Sequence, residues 1–410
     1  MEVIVGRLSA LQLVLLICAA QVLIQIGAFV WPALLPDLVQ RWSLTYGEAG
    51  WITGIFYGAY IVAVPVLVTL TDRIDAKRIY LFGVAATALA HVLFALLADG
   101  LWVALAARAL AGVGWAGTYM TGLKLLADKV DAKLMSRAAA GHAAAIGISG
   151  AISFAYAAFL ADVAGWPAAF LTSGVCAVLA FLLVALKVPS EGAPPRAGEQ
   201  LLFDFRPVLR NRSAMADAIA YCIHTLEMSA LRGWGVAFLG FVAMQSGGSA
   251  PIMSPTMALT LLGLLGTLAS VLGNEAAILI GRRRLITLAM LASAACAIVL
   301  GFLGSHSYPL AFGLMVLYGP IVWLDSSSLT AGTAGTAEPS RRGATLAVHS
   351  MLGYVGGFVG PLVVGFVLDW QGGMSVSAWA AAFTLIAVLM LLALAAFLLL
   401  RPGALAGDRS

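Results

Sequence analysis

The 410-residue chain is 62% apolar and only 10% charged, which leaves too few polar groups to clothe a soluble globule of this size. Its formal net charge of +4 is no argument for a nucleic-acid partner, because the basic residues gather in short connectors where anionic lipid would face them. A soluble enzyme and a nucleic-acid-binding protein are both excluded on these grounds.

Twelve apolar stretches follow one another at about 9–35, 47–70, 79–98, 101–127, 138–162, 166–187, 213–243, 253–281, 284–304, 308–336, 342–369 and 375–400. Each is near or above the roughly 20 residues a helix needs to cross a bilayer core. If the N-terminus is cytoplasmic, 20 of the 23 Lys and Arg fall on the inside; Arg41 falls outside, and Arg108 and Arg232 lie within spans. That asymmetry predicts an even number of helices with both termini cytoplasmic. The fold class is therefore an all-α polytopic membrane protein of twelve transmembrane helices. The first stretch has a basic flank at Arg7 but runs on to Leu35, too long for a signal-peptide core, and is expected to be retained. Cys18, Cys176, Cys222 and Cys296 lie inside spans without paired spacing, as packing residues and not a disulfide or zinc set.

The longest polar segment, rich in proline and charge, separates two blocks of six spans. The expected organisation is an N-terminal six-helix unit over 1–187, a cytoplasmic linker over 188–212 and a C-terminal six-helix unit over 213–410. A shift of 207 positions superposes Gly112 on Gly319, His142 on His349, Gly150 on Gly357 and Asp162 on Asp369. Parallel six-helix repeats with a site between them near the midplane are one way secondary transporters are built.

The connector after the second span reads Thr71-Asp72-Arg73-Ile74-Asp75-Ala76-Lys77-Arg78, and the fourth span holds Arg108-Ala-Leu-Ala-Gly112-Val-Gly114. These resemble two signatures of the major facilitator superfamily, with Val68 and Asp75 in place of glycines, Ala76 in place of a basic residue and Ile278 in place of an acid in the second half. The resemblance implies two pseudo-symmetric six-helix bundles that transport a small solute by alternating access. Tyr221–Trp234 and Leu324–Gly332 are similar to a bacterial group near the nitrate/nitrite and cyanate porters. The glycine-asparagine helices of true nitrate porters and an arginine in the second span are missing. The family likeness implies a bacterial inner membrane.

Charged groups at membrane depth carry the chemistry, because placing one near the bilayer centre costs about 2.5–3.5 kcal/mol or more. Arg108 shares a helical face with Gly112, Trp115 and Tyr119. The resemblance implies that it packs beside the first helix, with Gln21 and Gln25 as neighbours. It is read either as a proton or anion group or as a brace for that helix. In the seventh span Asp217, Tyr221, His224, Met228, Arg232 and Gly235 fall within an arc of about 80°, with Glu227 at its edge. Arg232 is expected to clamp a planar anion. Glu227 is a proton-exchange candidate, since leaving water favours a neutral carboxyl, and His224 a relay or a hydrogen-bond partner of Glu227. The competing reading is an internal Glu-Arg-His network. Asp325 in the tenth span is a second proton site, the counter-ion of Arg108 or Arg232, or a local structural acid.

The expected substrate-binding set is thus Arg108, Arg232, Tyr221, Gln25, Trp115 and Tyr119. The proton set is Glu227, Asp325, His224 and Asp217. Asp72, Arg73, Lys77, Arg282 and Arg283 are expected to pair and to bind helix ends in one state of the cycle. His142 and His349 are read as satisfied structural groups, and the stripe Gly353, Gly356, Gly360 as a close helix contact. The expected function is secondary transport of a small organic or inorganic anion with protons. Proton-exchange efflux and a non-transporting scaffold or sensor are the alternatives. A monomer with no cofactor and no metal is expected, partnered by solute, protons and lipid.

Overall fold

The computed structural model describes residues 9–71, 73–130, 132–190, 205–246, 252–338, 341–400, 402, 403 and 405. Among these, all regular structure is helical, and twelve helices are long and apolar enough to cross a membrane. In the first bundle they are α1 Ala10–Arg41, α2 Tyr46–Leu70, α3 Ala76–Leu97, α4 Leu101–Ala127, α5 Arg137–Ala164 and α6 Trp166–Lys187. The second holds α7 Arg212–Gln245, α8 Pro255–Ile280, α9 Arg282–His306, α10 Tyr308–Thr336, α11 Arg342–Trp370 and α12 Val376–Leu400. With twelve successive crossings, the start of α1 and the end of α12 share one end of the assembly, hereafter the terminus end; the other is the far end. Apolar side chains on the outside, such as Val62, Trp102, Leu186 and Leu399, are more than 70% exposed, as a lipid-facing surface requires.

Helix starts are set by caps. Ser9 with Gln12 and Thr45 with Glu48 form capping boxes at α1 and α2, and Asn211, Ser254 and Ser307 cap α7, α8 and α10. Such caps supply acceptors to the N–H groups a first turn leaves unpaired. The first span reaches beyond Leu35 to Arg41 because Leu38 and Val39 continue the buried stripe.

Two helices are broken. α1 consists of Ala10–Gln25 and Val30–Arg41, and α10 of Tyr308–Trp323 and Ser326–Thr336. In α1, Pro32 has no N–H to offer the carbonyl of Ala28 four residues back. The Phe29 N–H at the break donates to Ser153 Oγ of α5 at 3.0 Å.

Small residues let the helices close on one another, as they do where lipid removes the hydrophobic drive between helices. A Cβ on Gly112 would strike the Phe56 carbonyl of α2, and one on Gly319 would meet Leu262 of α8. The matched glycines therefore serve matched helix pairs. Gly356 and Gly360 of α11 abut the Cys222 and Leu226 carbonyls of α7, so the eleventh-span stripe is the close contact the sequence suggested. The bundles meet along two seams, α2 against α11 and α5 against α8.

Candidate functional site

The two helix breaks face each other across one arginine. The Arg232 guanidinium of α7 lies over the Phe29 ring at 4.9 Å and over the Trp323 ring at 4.6 Å. Phe29 sits at the break of α1 and Trp323 at the break of α10, so each bundle supplies one ring. Arg232 borders a narrow cavity walled by Ala151 and Phe154 of α5, Leu259 and Leu262 of α8, and Val322 and Trp323 of α10. It is the one ionisable side chain among the cavity's lining residues. No carboxylate among the described residues pairs with it. Phe29 in turn stacks on Phe154 at 5.2 Å and lies against Gly150, where a Cβ would stand 3.1 Å from its ring.

Arg108 is placed differently. It is 4% exposed, its Nη1 donates to the Ala28 carbonyl at 3.3 Å, and its guanidinium covers the Phe56 ring at 4.7 Å. It thus satisfies the carbonyl that Pro32 leaves without a helical donor, the bracing geometry. Gln21, expected beside it, instead accepts from Tyr80 Oη at 3.4 Å. Gln25 is buried, and its amide would lie 3.8 Å from a Cβ on Gly150.

Asp325 pairs with neither arginine. Its Oδ1 stands 2.9 Å from His224 Nδ1, yet the ring and the carboxylate are not aligned for a hydrogen bond. Both imidazole nitrogens and Oδ1 remain without an aligned partner. Trp323 meets His224 edge-on at 6.3 Å, so the ring beneath Arg232 also touches the His–Asp pair.

Glu227, only 1% exposed, turns inward to its own bundle. Tyr318 Oη donates to Oε1 at 2.6 Å, and Ser293 Oγ lies 2.8 Å from both oxygens. The Glu-Arg-His network is therefore not what the helix forms: the glutamate belongs to Tyr318 and Ser293, the histidine to Asp325, and Arg232 to two rings. Asp217 packs against Gly332 of α10, where a Cβ would meet its carboxylate at 2.6 Å.

Aromatic rings pave the middle of the α2–α11 side. Trp115 stacks on Tyr119 at 4.9 Å and donates from Nε1 to Tyr354 Oη of α11 at 2.6 Å. Tyr354 stacks on Tyr60 of α2 at 3.6 Å. Tyr221 stacks on His349 at 4.1 Å and on His224 at 5.5 Å. His349 is held by Thr330 and Thr333, and His142 lies 3.2 Å from the Tyr119 carbonyl. Both histidines therefore have structural partners.

Of the expected gating residues, Asp72 lies outside the described residues. Arg73 and Arg283 are exposed. Lys77 donates to the carbonyls of Ala185 and Val188 at 2.9 and 2.6 Å, capping the end of α6 within its own bundle. Arg282 donates to Asn274 Oδ1 at 3.1 Å and to the Ser328 carbonyl at 3.2 Å. At the far end, Asp369 of α11 accepts from the N–H groups of Tyr46 at 2.8 Å and Gly47 at 2.7 Å. A carboxylate of one bundle thus sits on the helix N-terminus of the other.

Phe29, Trp323 and Tyr354 escaped the sequence reading, in which Asp369 figured only as the repeat match of Asp162. Pro32 and Pro320, near the two breaks, were the available signals for the first pair.

Comparison with known proteins places this geometry in a family. Residues 16–319 match the family model of the Major Facilitator Superfamily. Protein spinster homolog 1 of Bos taurus is 26% identical over 385 residues, covering 87% of this chain and 72% of the relative. The crystal structure of a bacterial homolog of the human lysosomal transporter Spinster, inward-facing and occupied, superposes with a TM-score of 0.74 at 15% identity. It covers 97% of this chain and 98% of that one. The nucleoside transporter NupG gives 0.73 at 14% identity over 95% of this chain and 98% of that one. These last two likenesses concern the fold. The resemblance noted in the sequence thus holds at the level of the superfamily, while the relatives named here are of the spinster type and not nitrate or cyanate porters. The chain belongs to the Major Facilitator Superfamily and is an integral membrane transporter of a small solute, not an enzyme.

Proposed function

We propose that this transporter carries a small anion coupled to protons, with Arg232 as the anchor for the negative charge. One observation carries the reading: a guanidinium in the membrane, bordering a cavity between the bundles, has ring partners but no carboxylate among the described residues. An unpaired cation at this depth is costly, and an anionic solute offsets that cost when it binds. Arg232 touches a ring from each bundle, so rocking of units 1–187 and 213–410 about the linker 188–212 would remake its surroundings in each state. The far end is then the outer face, both termini are cytoplasmic, and the setting is a bacterial inner membrane. The likeness to nitrate and cyanate porters is retained only as anion chemistry. Trp115, Tyr119 and Tyr221 form aromatic walls towards the terminus end, and Arg108 keeps the α1 break in shape.

The His224–Asp325 pair is the proton site. Its nitrogens and Oδ1 have no aligned partner, so a proton can be gained or lost without breaking a formed hydrogen bond. Trp323 lies against both this pair and Arg232, which gives anion binding and protonation a shared element at the α10 break. Thermodynamic linkage then makes each favour the other. Glu227, committed to two hydroxyls, is second in line. Lys77 and Arg282 hold helix ends that move with the gates, and Arg73, Arg283 and Asp72 keep the gating role their sequence positions suggest.

The test uses proteoliposomes enclosing a pH-sensitive dye and a panel of anions. Anion-dependent acidification that is lost in Arg232→Ala and Asp325→Asn, and survives in Glu227→Gln, is the expected result. Uptake of the same anion by Asp325→Asn with undiminished acidification would remove the proton role from this pair. Wild-type levels of uptake in Arg232→Ala would remove the anion role from Arg232.

A further inference from the structure

The lining of the central cavity restricts the anion further than its sign. Apart from Arg232 and the thioether of Met228, the lining side chains are aliphatic, aromatic or absent: chiefly Phe154, Leu259, Leu262, Val322 and Trp323, with the glycines at 150, 263 and 319. None of these but Trp323 carries a polar side-chain atom. A solute rich in hydroxyls or amides would leave several polar groups unpaired here, at roughly 1–3 kcal/mol each. One cation and no other ionisable group means that one negative charge is balanced. A second charge, as on a phosphate monoester near −2 at neutral pH, would be left in a poorly solvated space. Arg108 does not supply the missing cation, because it lies outside the cavity's lining, with Nη1 on the Ala28 carbonyl and its plane over Phe56.

The shape of the anchor adds a further restriction. With ring carbons of Phe29 and Trp323 lying over the guanidinium, the in-plane N–H edge is what remains for a ligand. Two parallel N–H groups in that edge match two coplanar oxygens. We infer that the substrate is a monocarboxylate with a compact apolar body, aliphatic or aryl, whose carboxylate meets the edge of Arg232 while its body lies on Phe154, Leu259 and Leu262. This rests on the reading of Arg232 as the anion anchor. It narrows that reading to one charge, a planar head and few other polar groups.

The inference is tested by equilibrium binding to the purified full-length protein in detergent, by calorimetry and by shift of melting temperature. The probes are benzoate and hexanoate, phenyl phosphate and succinate, nitrate, benzyl alcohol and uridine. Benzoate and hexanoate are expected to bind about tenfold or more tighter than every other probe. Arg232→Lys keeps the charge without the planar fork and is expected to weaken benzoate about tenfold. Leu262→Asn introduces polarity into the wall and, because Leu262 is buried against Gly319, lowers the melting temperature of the unliganded protein. Its readout is therefore the hexanoate-induced shift from that lower baseline, which is expected to be lost while the shift with nitrate is kept. Tighter binding of phenyl phosphate or succinate, abolished by Arg232→Gln, would overturn the single-charge inference while sparing the anion anchor. Nitrate matching benzoate would remove the apolar body from the inference. Uridine or benzyl alcohol binding as well as benzoate, and unchanged in Arg232→Gln, would sink both the inference and the anion reading beneath it.

Discussion

The two seams between the bundles are related by the internal repeat, yet they are built from different materials. Along α2–α11 glycine meets backbone. A Cβ on Gly50 would come 2.8 Å from the Pro361 carbonyl oxygen, one on Gly54 2.6 Å from that of Phe358, and one on Gly365 would strike the carbonyl of Tyr46. Along α5–α8 Gly147 meets the Thr267 side chain, and only Gly263, against the Cβ and Cα of Ala151, approaches backbone. The difference extends to the far end. Asp369 receives two N–H groups from the start of α2, whereas its repeat partner Asp162 is exposed. The start of α8 explains this: Pro255 at its first position has no N–H, where α2 offers those of both Tyr46 and Gly47. One seam is locked backbone to backbone by a charged latch; the other is a softer, side-chain contact. A transporter that rocks needs elements that hold firm and others that give, and the repeat has been differentiated to supply both.

The largest effect on this comparison is expected at the latch. Hydrogen bonds to a charged group contribute about 1.5–3 kcal/mol, and the α2 dipole adds to them. Asp369→Asn offers one acceptor oxygen where two are used, and sets its own NH₂ against the remaining N–H. The far-end-closed state should lose about 1.5–3 kcal/mol, roughly a tenfold to hundredfold shift in the open-to-closed ratio. Spin labels at the exposed Trp102 and Met244 positions, on the first and second bundles in a cysteine-free background, would report it as a new longer distance. Asp162→Asn should leave the distribution as it is. Equal shifts in the two variants would break the asymmetry.

Added methyl groups probe the materials themselves. In Gly54→Ala the new Cβ meets a carbonyl that cannot rotate away, so the helices must separate, with overpacking of about 1–3 kcal/mol. In Gly147→Ala the neighbour is the Thr267 side chain, its Oγ1 at 2.6 Å, which can turn about its χ1 on a seam without a latch. The melting temperature should fall further for Gly54→Ala, and the reverse order would show α5–α8 to be the rigid seam.

Much of this architecture is legible in the amino-acid sequence. Twelve spans, their connectors and the depth of Arg232, Glu227 and Arg108 follow from where the sparse charges stand, because lipid penalises them strongly. Partner choice is not legible there. Glu227 and His224 are three residues apart on α7, and a small rotation decides which faces Tyr318 and which faces Asp325. Phe29 and Trp323 are hidden because an aromatic residue in an apolar span usually packs; only the helix breaks give these two their place over Arg232. The Asp162–Asp369 match is visible as repetition, and repetition conceals that only one of the pair is used. The glycine stripe of α11 is read correctly, since close helix contact constrains side-chain size in a periodic way.

Single hydrogen bonds across each seam give the finest test. Trp115 Nε1 donates to Tyr354 Oη at 2.6 Å on the α11 side, and the Ala155 N–H donates to Thr260 Oγ1 at 3.1 Å on the α5–α8 side. Trp115→Phe removes a side-chain donor and leaves the half-buried Tyr354 hydroxyl short of a partner, at about 1 kcal/mol. Thr260→Val removes an acceptor from an N–H that lies inside a helix, and the effect should be at or below about 0.5 kcal/mol. Chemical denaturation in detergent would order the two. If Thr260→Val proves the costlier, the softer seam owes its cohesion to this bond, and the contrast between the seams lies in the latch alone.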